Sequence, residues 1–308
     1  MNPGSPPVAL DPAGPFAEPL ANLSWTLFWI VTIVMLIVVA ALATALAGGD
    51  RYRSLVARRW MVVAGGLAFP VIVLSGLLVY GLLVTGKVSA APLAGELRIR
   101  VIGEMWWWRI QYLDGEDVRF ETANEVRIPA GEPVTLELQS NDVIHAYWVP
   151  QLGPKRDMIP GRTNFLRIQA DKPGIYRGQC SEYCGGTHAM MANEVIAVTP
   201  EEFVTWADRQ AAMVERKSID GQRLFTTAGC AACHTIRGAQ ANGRLGPDLT
   251  HVGERRTLAA GMLENRPELL RSFIRNANAL KPGVRMPEYS RLSAAEIDAI
   301  ASWLESAP

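Results

Sequence analysis

Two long uncharged stretches near the N-terminus constrain the fold of this 308-residue chain more than any other feature. Residues 19–49 contain no charged side chain, residues 25–47 are almost wholly apolar, and a second uncharged stretch covers residues 60–86. Each stretch is long enough to cross about 30 Å of hydrocarbon as a helix. Because a lipid-exposed backbone must satisfy its own hydrogen bonds, the sequence predicts a two-helix transmembrane hairpin at about residues 23–47 and 60–86.

The same stretches have alternative interpretations: the first also fits a secretory signal, and the second fits a buried helix. A signal peptide begins with basic residues, whereas residues 1–24 contain Asp11 and Glu18 but no Lys or Arg. We therefore predict two retained spans.

The charges around the spans predict their orientation. The intervening loop, residues 50–59, carries four arginines, and basic loops stay in the cytoplasm. Residues 1–22 and the whole chain after the second span are then predicted on the outer side of a bacterial cytoplasmic membrane. Neither span contains an Asp, Glu, His, Lys or Arg that could relay ions, so transport through this chain alone is not predicted.

A loop in the second half of the chain collects soft metal ligands: Cys180, Cys184, His188 and Met191. Thiolate, imidazole and thioether together are the ligands of copper electron-transfer sites. Two cysteines able to bridge suggest more than one metal ion. A short disulfide is the alternative for two cysteines of an exported domain, but the His and Met at fixed offsets favour metal.

The sequence Cys230-Ala-Ala-Cys233-His234 is the pattern of covalent c-type haem attachment, with the His as an iron ligand. A redox dithiol or half of a zinc site are the alternatives. The adjacent His and the lack of a second Cys-x-x-Cys favour haem.

A haem that only carries electrons usually has a second axial ligand, and a thioether raises its potential. Met286, in Arg-Met-Pro, is the predicted ligand, while Met213 and Met262 are rivals in helical patterns.

The chain has four cysteines and four histidines. All four cysteines, His188 and His234 belong to these two motifs, and His145, at the end of a strand-like run, is a further candidate ligand. The remaining histidine, His251, is predicted to be structural. No cysteine is left for a structural disulfide, which points to the outer face of an energy-transducing membrane. The 30 basic and 30 acidic residues balance and say little about partners.

The pattern Cys-x-Glu-x-Cys-x3-His-x2-Met, preceded by a His in Ser-x-Asp-Val-x-His, resembles the dinuclear copper (CuA) domain of cytochrome c oxidase subunit II. The resemblance implies that Trp106 is the residue through which electrons enter. It also implies that the Glu182 carboxylate helps to bind a magnesium ion at the boundary with subunit I. The implied copper ligands are His145, Cys180, the backbone carbonyl of Glu182, Cys184, His188 and Met191.

Residues 243–250 resemble the small class I cytochrome c domains, where a proline packs beside the haem-binding His. The resemblance assigns this place to Pro247. Many subunit II sequences also have a Glu near the cytoplasmic start of the second span, but residues 54–65 contain none, which leaves the partner's proton entrance in doubt.

The periodicity divides the exported part into two domains. Short alternating runs with Pro-Gly turns predict an all-β, cupredoxin-like sandwich over residues 90–199. A capping box at Thr199 begins a predicted helical linker over residues 200–217. Helical periodicity over residues 218–308 predicts an all-α cytochrome c domain, with a second capping box at Ser293.

These observations predict an oxidase subunit II with a fused C-terminal cytochrome c domain. Electrons would pass from haem c to dinuclear copper and on to haems of subunit I, where dioxygen is reduced to water in a proton-translocating complex. The chain itself has no oxygen-reducing site. The predicted partners are subunits I and III, an upstream cytochrome c or quinol-cytochrome c reductase, and membrane lipid, with no nucleic acid. The alternatives are the CuA-containing subunit of a nitric oxide reductase and a membrane-anchored copper-delivery protein.

Overall fold

The computed structural model describes residues 6–88, 93, 95–214 and 219–306. Residues 1–5 of the predicted outer segment, residues 89–92 and 94 around the predicted start of the sandwich, residues 215–218 of the predicted linker and residues 307–308 lie outside the described residues. As the sequence predicts, two apolar helices come first, a β-sandwich follows, and a helical domain ends the chain. The helices are α1 (Glu18–Ala47), α2 (Asp50–Val56), α3 (Arg59–Val63), α4 (Phe69–Val88), α5 (Pro200–Ala211), α6 (Ile219–Thr227), α7 (Pro267–Arg275), α8 (Ala277–Leu280) and α9 (Ala294–Glu305).

The N-terminal hairpin contains two helices long and apolar enough to cross a membrane, Glu18–Ala47 and Arg59–Gly86. A π-helical turn, Ala64–Ala68, joins α3 to α4 immediately before Pro70. Proline lacks an N–H donor and clashes with the carbonyl four residues earlier, and a widened turn accommodates both effects. The second span therefore continues through the proline as one helix.

The sandwich domain (residues 97–198) consists of two five-stranded sheets, with strand orders β3-β2-β1-β5-β8 and β4-β10-β9-β6-β7. Within the sheets, β1 pairs in parallel with β5, and β4 with β10. The strands are β1 (Leu97–Glu104), β2 (Trp107–Asp114), β3 (Asp117–Ala123), β4 (Glu125–Pro129), β5 (Val134–Ser140), β6 (His145–Trp148), β7 (Arg156–Met158), β8 (Asn164–Ile168), β9 (Gly174–Cys180) and β10 (Ala192–Val198).

Alternating apolar residues from both sheets fill the sandwich core, which includes Ile99, Val101, Ile110, Leu136 and Leu138, all fully buried. Helix α5 closes one side of this core. Its Trp206 contacts Tyr112 and Phe120 edge to face, at centroid distances of 5.3 and 5.6 Å. Such aromatic pairs contribute about 0.5–1.5 kcal/mol each beyond the area that they bury, so α5 is fixed to the sandwich.

The C-terminal domain (residues 219–306) packs α6, α7 and α9 around one core, with the short hairpins β11 (Thr235–Ile236) to β12 (Ala241–Asn242) and β13 (Thr257–Leu258) to β14 (Leu263–Glu264). A Cβ on Gly221 of α6 would lie 2.3 Å from the Cβ of Trp303 in α9, so only glycine allows this close approach. The capping boxes predicted at Thr199 and Ser293 are confirmed, with Glu202 and Glu296 as their third helical residues.

The segment before α1 packs against the sandwich domain. Ala13 donates its N–H to the Gln151 carbonyl (2.8 Å), and its own carbonyl accepts from Asp171 N–H (2.9 Å). The Arg167 guanidinium lies over the Phe16 ring at 5.1 Å. The start of α1 and the sandwich domain therefore lie on the same side of the hairpin.

Glu96, just before β1, joins three strands through its carboxylate. Thr135 of β5 donates a hydrogen bond to it (2.6 Å), and Arg167 of β8 forms an ion pair with it, while the Glu96 side chain is only 6% exposed. Burial by itself raises the pKa of Glu96, but the hydrogen bonds from Thr135 and Arg167 outweigh it and the pKa is lowered. In acid, Glu96 therefore binds a proton more readily in the unfolded chain than in the folded one. The stability that the Glu96 carboxylate contributes is lost as the pH falls through its folded-state pKa.

We expect Glu96→Gln to lower the free energy of unfolding by about 1–2 kcal/mol at neutral pH, because charged hydrogen bonds are lost. The same change should flatten the acid dependence of stability below the ordinary Glu pKa of 4.5. Thermal unfolding of the full chain in detergent over a pH series measures both effects. Glu132→Gln, at an exposed turn, is the matched control. An acid dependence in Glu96→Gln equal to that of the wild type would contradict the assignment.

Candidate copper and haem sites

The predicted copper ligands meet at one end of the second sheet. Cys180 is the last residue of β9, and His145 is the first residue of β6, which pairs with β9 through Tyr147 and Cys180. The loop between β9 and β10 makes a short 3-10 turn, His188–Met190, and returns to the sheet at Ala192. Strand pairing thus brings together residues 35 positions apart.

Each cysteine sulfur has an imidazole and a weaker donor beside it. Cys180 Sγ lies 3.9 Å from His145 Nδ1 and 3.2 Å from the Glu182 carbonyl oxygen. Cys184 Sγ lies 3.4 Å from His188 Nδ1 and 3.9 Å from Met191 Sδ.

The two sulfurs are 3.8 Å apart, and both cysteines are free. A disulfide needs about 2.05 Å, so the disulfide alternative does not describe this loop. The donor atoms of His145, Cys180 and Cys184 lie within 4.8 Å of one another and are buried. A buried set of soft donors in this arrangement fits copper.

The electrostatics of the site favour a thiolate. A hydrogen bond from the Cys184 thiol lowers the pKa of Cys180, against the effect of burial, and His145 adds to this stabilisation. Interaction with Cys180 raises the pKa of Cys184, and burial raises it further. One sulfur is therefore ready to ligate, while the second loses its proton on metal binding.

Asp142 supports the site from behind. Its Oδ1 lies 2.8 Å from His145 Nε2, which orients the ring and leaves Nδ1 facing the sulfurs. Its Oδ2 accepts a hydrogen bond from the Met105 N–H (2.7 Å), next to a cis peptide bond between Met105 and Trp106. The Trp106 indole donates in turn to the Cys184 carbonyl (3.0 Å).

Trp106 is half-buried against residues 181–191, the loop between β9 and β10 that we call the copper loop, whereas Trp108 is completely buried in the sandwich core. Trp107 packs beneath the guanidinium of Arg109 at 4.8 Å. Trp107 and Trp108 thus have packing roles, with Trp108 lying edge-on to the His145 ring at 6.0 Å, whereas the Trp106 indole binds the backbone between the copper donors.

The Glu182 side chain points away from the sulfurs that its carbonyl faces. Its carboxylate is 43% exposed and pairs with Lys155 at 3.1 Å. An ion pair between two partly exposed side chains contributes little stability.

In the C-terminal domain, Cys230 and Cys233 lie on and just after a 3-10 turn that follows α6. His234 Nδ1 donates to the Pro247 carbonyl (2.8 Å), which leaves Nε2 free to ligate iron. Gly246 lies against the imidazole, where a Cβ would be 2.5 Å from Cε1. Burial lowers the pKa of His234 and so keeps the ring neutral, as an iron ligand requires.

The methionines differ in their surroundings. Met286 is half-buried against the core of the C-terminal domain, on the loop that follows α8. Met213 is 79% exposed, between α5 and the undescribed residues. Met262 lies in the β13–β14 hairpin, and its position in a hairpin differs from the predicted helical pattern. His251 is buried and begins a 3-10 turn.

Both loops beside the predicted haem ligands contact the sandwich domain. On the His234 side, the Arg244 carbonyl accepts from Arg109 (2.6 Å). On the Met286 side, Lys281 Nζ donates to the Trp106 carbonyl (2.7 Å), and the Thr187 hydroxyl donates to the Pro282 carbonyl. The edge of the C-terminal domain that carries these loops therefore faces the copper loop.

Sequence reasoning missed the role of Asp142 behind the copper donors and the residues of this interface. Asp142 had a visible signal, because it stands three residues before His145 in the quoted motif. Lys281 and Glu125 had none, since the group that each binds across the interface lies more than 130 residues away in the chain.

Comparisons with known proteins agree with this geometry. The family model "Cytochrome C oxidase subunit II, periplasmic domain" matches residues 119–198, and the model "Cytochrome c" matches residues 218–308. The cytochrome c oxidase subunit 2 of Alkalihalophilus pseudofirmus is 33% identical over 97% of this chain and 90% of its own length. That of Bacillus sp. strain PS3 is 29% identical over 68% of this chain, which spans 61% of that protein.

Among solved structures, the periplasmic domain of subunit II of cytochrome oxidase (CoxB) from Bradyrhizobium japonicum is 33% identical, with a TM-score of 0.37. The match covers 39% of this chain and 96% of that one. The near full-length relative from Alkalihalophilus shows that the chain belongs to the cytochrome c oxidase subunit 2 family. This chain also contains a cytochrome c domain at its C-terminus. The subunit II domain implies binding of copper, and the cytochrome c domain implies binding of haem c.

We expect Met286→Leu to leave the covalent haem in place but to remove its thioether ligand. The haem spectrum should change to that of a centre lacking the sixth ligand. The potential should fall by on the order of 0.1 V, within the roughly 0.8 V over which axial ligands tune haem. Optical redox titration of the full chain measures both. Met213→Leu and Met262→Leu are matched controls that should leave both unchanged, and a loss of the ligand in Met262→Leu instead would refute the choice of Met286.

Proposed function

We propose that this chain is the electron-accepting subunit of a haem-copper cytochrome c oxidase. When bound, haem c receives an electron and dinuclear copper passes it towards the haems of subunit I, where dioxygen is reduced to water. The observation that carries the proposal is the contact between the loops beside the haem ligands and the loop with the copper donors, with Trp106 between them.

The donor set supports two copper ions rather than one. Two buried sulfurs 3.8 Å apart can bridge a pair of ions, and each sulfur has its own imidazole and its own weak donor. A rigid β-sandwich holds these donors in place, so little rearrangement is needed when the charge of the centre changes. The proposed ligands are His145, Cys180, Glu182 through its carbonyl, Cys184, His188 and Met191.

For the haem, Cys230 and Cys233 would supply the thioether bonds, and His234 and Met286 the axial ligands. Pro247 fixes the plane of the His234 ring through its carbonyl. Gly246 leaves room for that ring, which a side chain at this position would displace.

The contacts of the N-terminal segment support the proposed membrane arrangement. Ala13 binds the sandwich domain, as expected if the chain before α1 and both redox domains share one side of the membrane. The arginine-rich loop at residues 50–59 would then lie on the opposite, cytoplasmic side. The exposed apolar faces of the two spans would contact lipid and subunit I, with subunit III and an upstream cytochrome c or quinol-cytochrome c reductase as further partners.

The test is metal analysis and electron paramagnetic resonance on the full chain in detergent, produced with haem-c maturation. We expect two coppers per covalent haem and a hyperfine pattern from one electron shared by both coppers. Cys184→Ser should reduce copper to one ion or none and abolish that pattern, since one bridge is lost, while the haem content stays unchanged as an internal control. One ordinary copper in a fully haem-loaded wild type would refute the dinuclear assignment.

Glu182 has a second proposed role, because its carboxylate is free of the copper donors. We expect Glu182→Gln to weaken Mg²⁺ binding in the assembled oxidase about tenfold or more, as a charged ligand is lost, with copper spectra unchanged. Manganese substitution followed by paramagnetic resonance measures the affinity. Lys155→Met, which removes the competing ammonium group, is the control and should not weaken it. Equal manganese affinity in Glu182→Gln and wild type would exclude this role.

A further inference from the structure

Lys281 is a buried lysine at the contact between the two exported domains. It is only 2% exposed, although lysine is almost never fully buried without partners. Its Nζ donates to the Trp106 carbonyl of the sandwich domain (2.7 Å) and to the Ala259 carbonyl of its own domain (2.9 Å). Its partners therefore come from both domains, and the hydrogen bond to the Trp106 carbonyl is lost if the domains separate.

The turn that supplies the Ala259 carbonyl is strained and is held from both sides. Ala259 and Ala260 both have positive φ, at 55° and 59°, a region that residues with a Cβ disfavour. The Ala260 carbonyl accepts from Ala192 N–H (3.1 Å), and the Gly261 carbonyl accepts from Arg177 (3.0 Å). Strained backbone persists only where its surroundings determine it, and here those surroundings are Lys281 and the strand that leaves the copper loop.

Two glycines bring the backbones of both domains to the Trp106 ring. A Cβ on Gly185 of the copper loop would lie 3.1 Å from Trp106 Cζ2. A Cβ on Gly283 would lie 3.3 Å from Cζ3 and 2.9 Å from the Thr187 hydroxyl. Gly283 is two residues after Lys281 and three before Met286, so the chain segment that leads to the proposed haem ligand rests on the indole.

Further polar contacts fix the same orientation of the C-terminal domain. The buried Glu125 carboxylate of the sandwich domain accepts from the N–H groups of Arg256 and Thr257, at 3.2 and 2.8 Å. The buried Glu194 carboxylate lies 3.4 Å from Arg256. Burial lowers the pKa of Lys281 to about 7, with attraction to Cys184 acting in the opposite direction, so burying this lysine has a desolvation cost that its partners offset only in part.

We infer that Lys281 is a positioning residue that holds the C-terminal domain closed on Trp106, so that a separate soluble donor cannot reach Trp106. The inference rests on the proposed function, in which the C-terminal domain is the donor to copper. The C-terminal domain then packs directly against the copper loop and is not merely linked to it by the chain. Because this domain covers the Trp106 indole, it excludes competing electron donors.

The test compares Lys281→Met, which keeps the length of the side chain but removes its donors, with the matched control Lys172→Met at an exposed turn of the sandwich domain. The full chain, loaded with copper and haem, is used in detergent. Hydrogen–deuterium exchange reports whether residues 104–108 and 281–284 stay protected. Stopped-flow mixing with a reduced soluble cytochrome c reports which centre is reduced first.

We expect the wild type and Lys172→Met to reduce haem first and copper only afterwards. Lys281→Met should speed exchange in both segments roughly tenfold, slow haem-to-copper transfer about tenfold or more, and allow copper to be reduced directly, with both spectra unchanged. Gly283→Ala, which pushes a Cβ against the Thr187 hydroxyl, should act in the same direction and replaces Lys281→Met if that variant fails to load haem.

Unchanged exchange and an unchanged order of reduction in a loaded Lys281→Met or Gly283→Ala variant would overturn the inference. The proposed function has a separate point of failure. A wild type with both centres loaded, but with no transfer from haem to copper, would refute that function, and the exchange data would still report whether Lys281 holds the domains together.

Discussion

The pairing of β6 with β9 is the constraint on which the rest of the structure depends. It places His145 beside Cys180 at the end of one sheet, and the loop from β9 to β10 can then close with Cys184, His188 and Met191 around the same point. The site is held by strand registers within a packed core, not by the short loop alone. Because cores are packed as densely as crystals, a shift at the donors would have to move the core as well. This rigidity suits a centre that changes charge without changing shape.

A second feature is the number of buried charged groups between the sandwich domain and the C-terminal domain. Glu125, Glu194, Arg177 and Lys281 are each less than 10% exposed, and each binds a group of the C-terminal domain or a residue that does. Buried ionic groups contribute little net stability, but they tolerate few alternative arrangements, since breaking one partner leaves a charge uncompensated. The interface therefore specifies one orientation of the C-terminal domain and contributes little to the strength of the contact.

The N-terminal helical hairpin and the sandwich domain are joined by contacts as well as by the chain. The segment around Ala13 and Phe16 lies on the sandwich domain before α1 begins, at a distance of more than 130 residues in sequence from its partners there. The second span passes through a π-helical turn before Pro70, which adapts the helix to a residue that cannot complete the usual hydrogen-bond ladder. The contacts of Ala13 and Phe16 place the start of α1 against the sandwich domain, whereas the π-helical turn is a local adjustment within the second span.

The sequence alone determined the parts of this protein whose physics is local. Uncharged length specified the two spans, alternation and turn residues specified the sandwich, the capping boxes at Thr199 and Ser293 started two helices, and the spacing of Cys, His and Met indicated the chemistry of both sites. Only the tertiary structure decided which face of the C-terminal domain meets the copper loop, that Lys281 is buried there, and that Met262 lies in a hairpin. The first two depend on pairings between residues far apart in the chain, such as Lys281 with Trp106, and no periodicity or motif encodes such pairings. Met262 is a local case, because the positive φ angles of Ala259, Ala260 and Gly261 turn the chain into a hairpin where the sequence pattern predicted a helix.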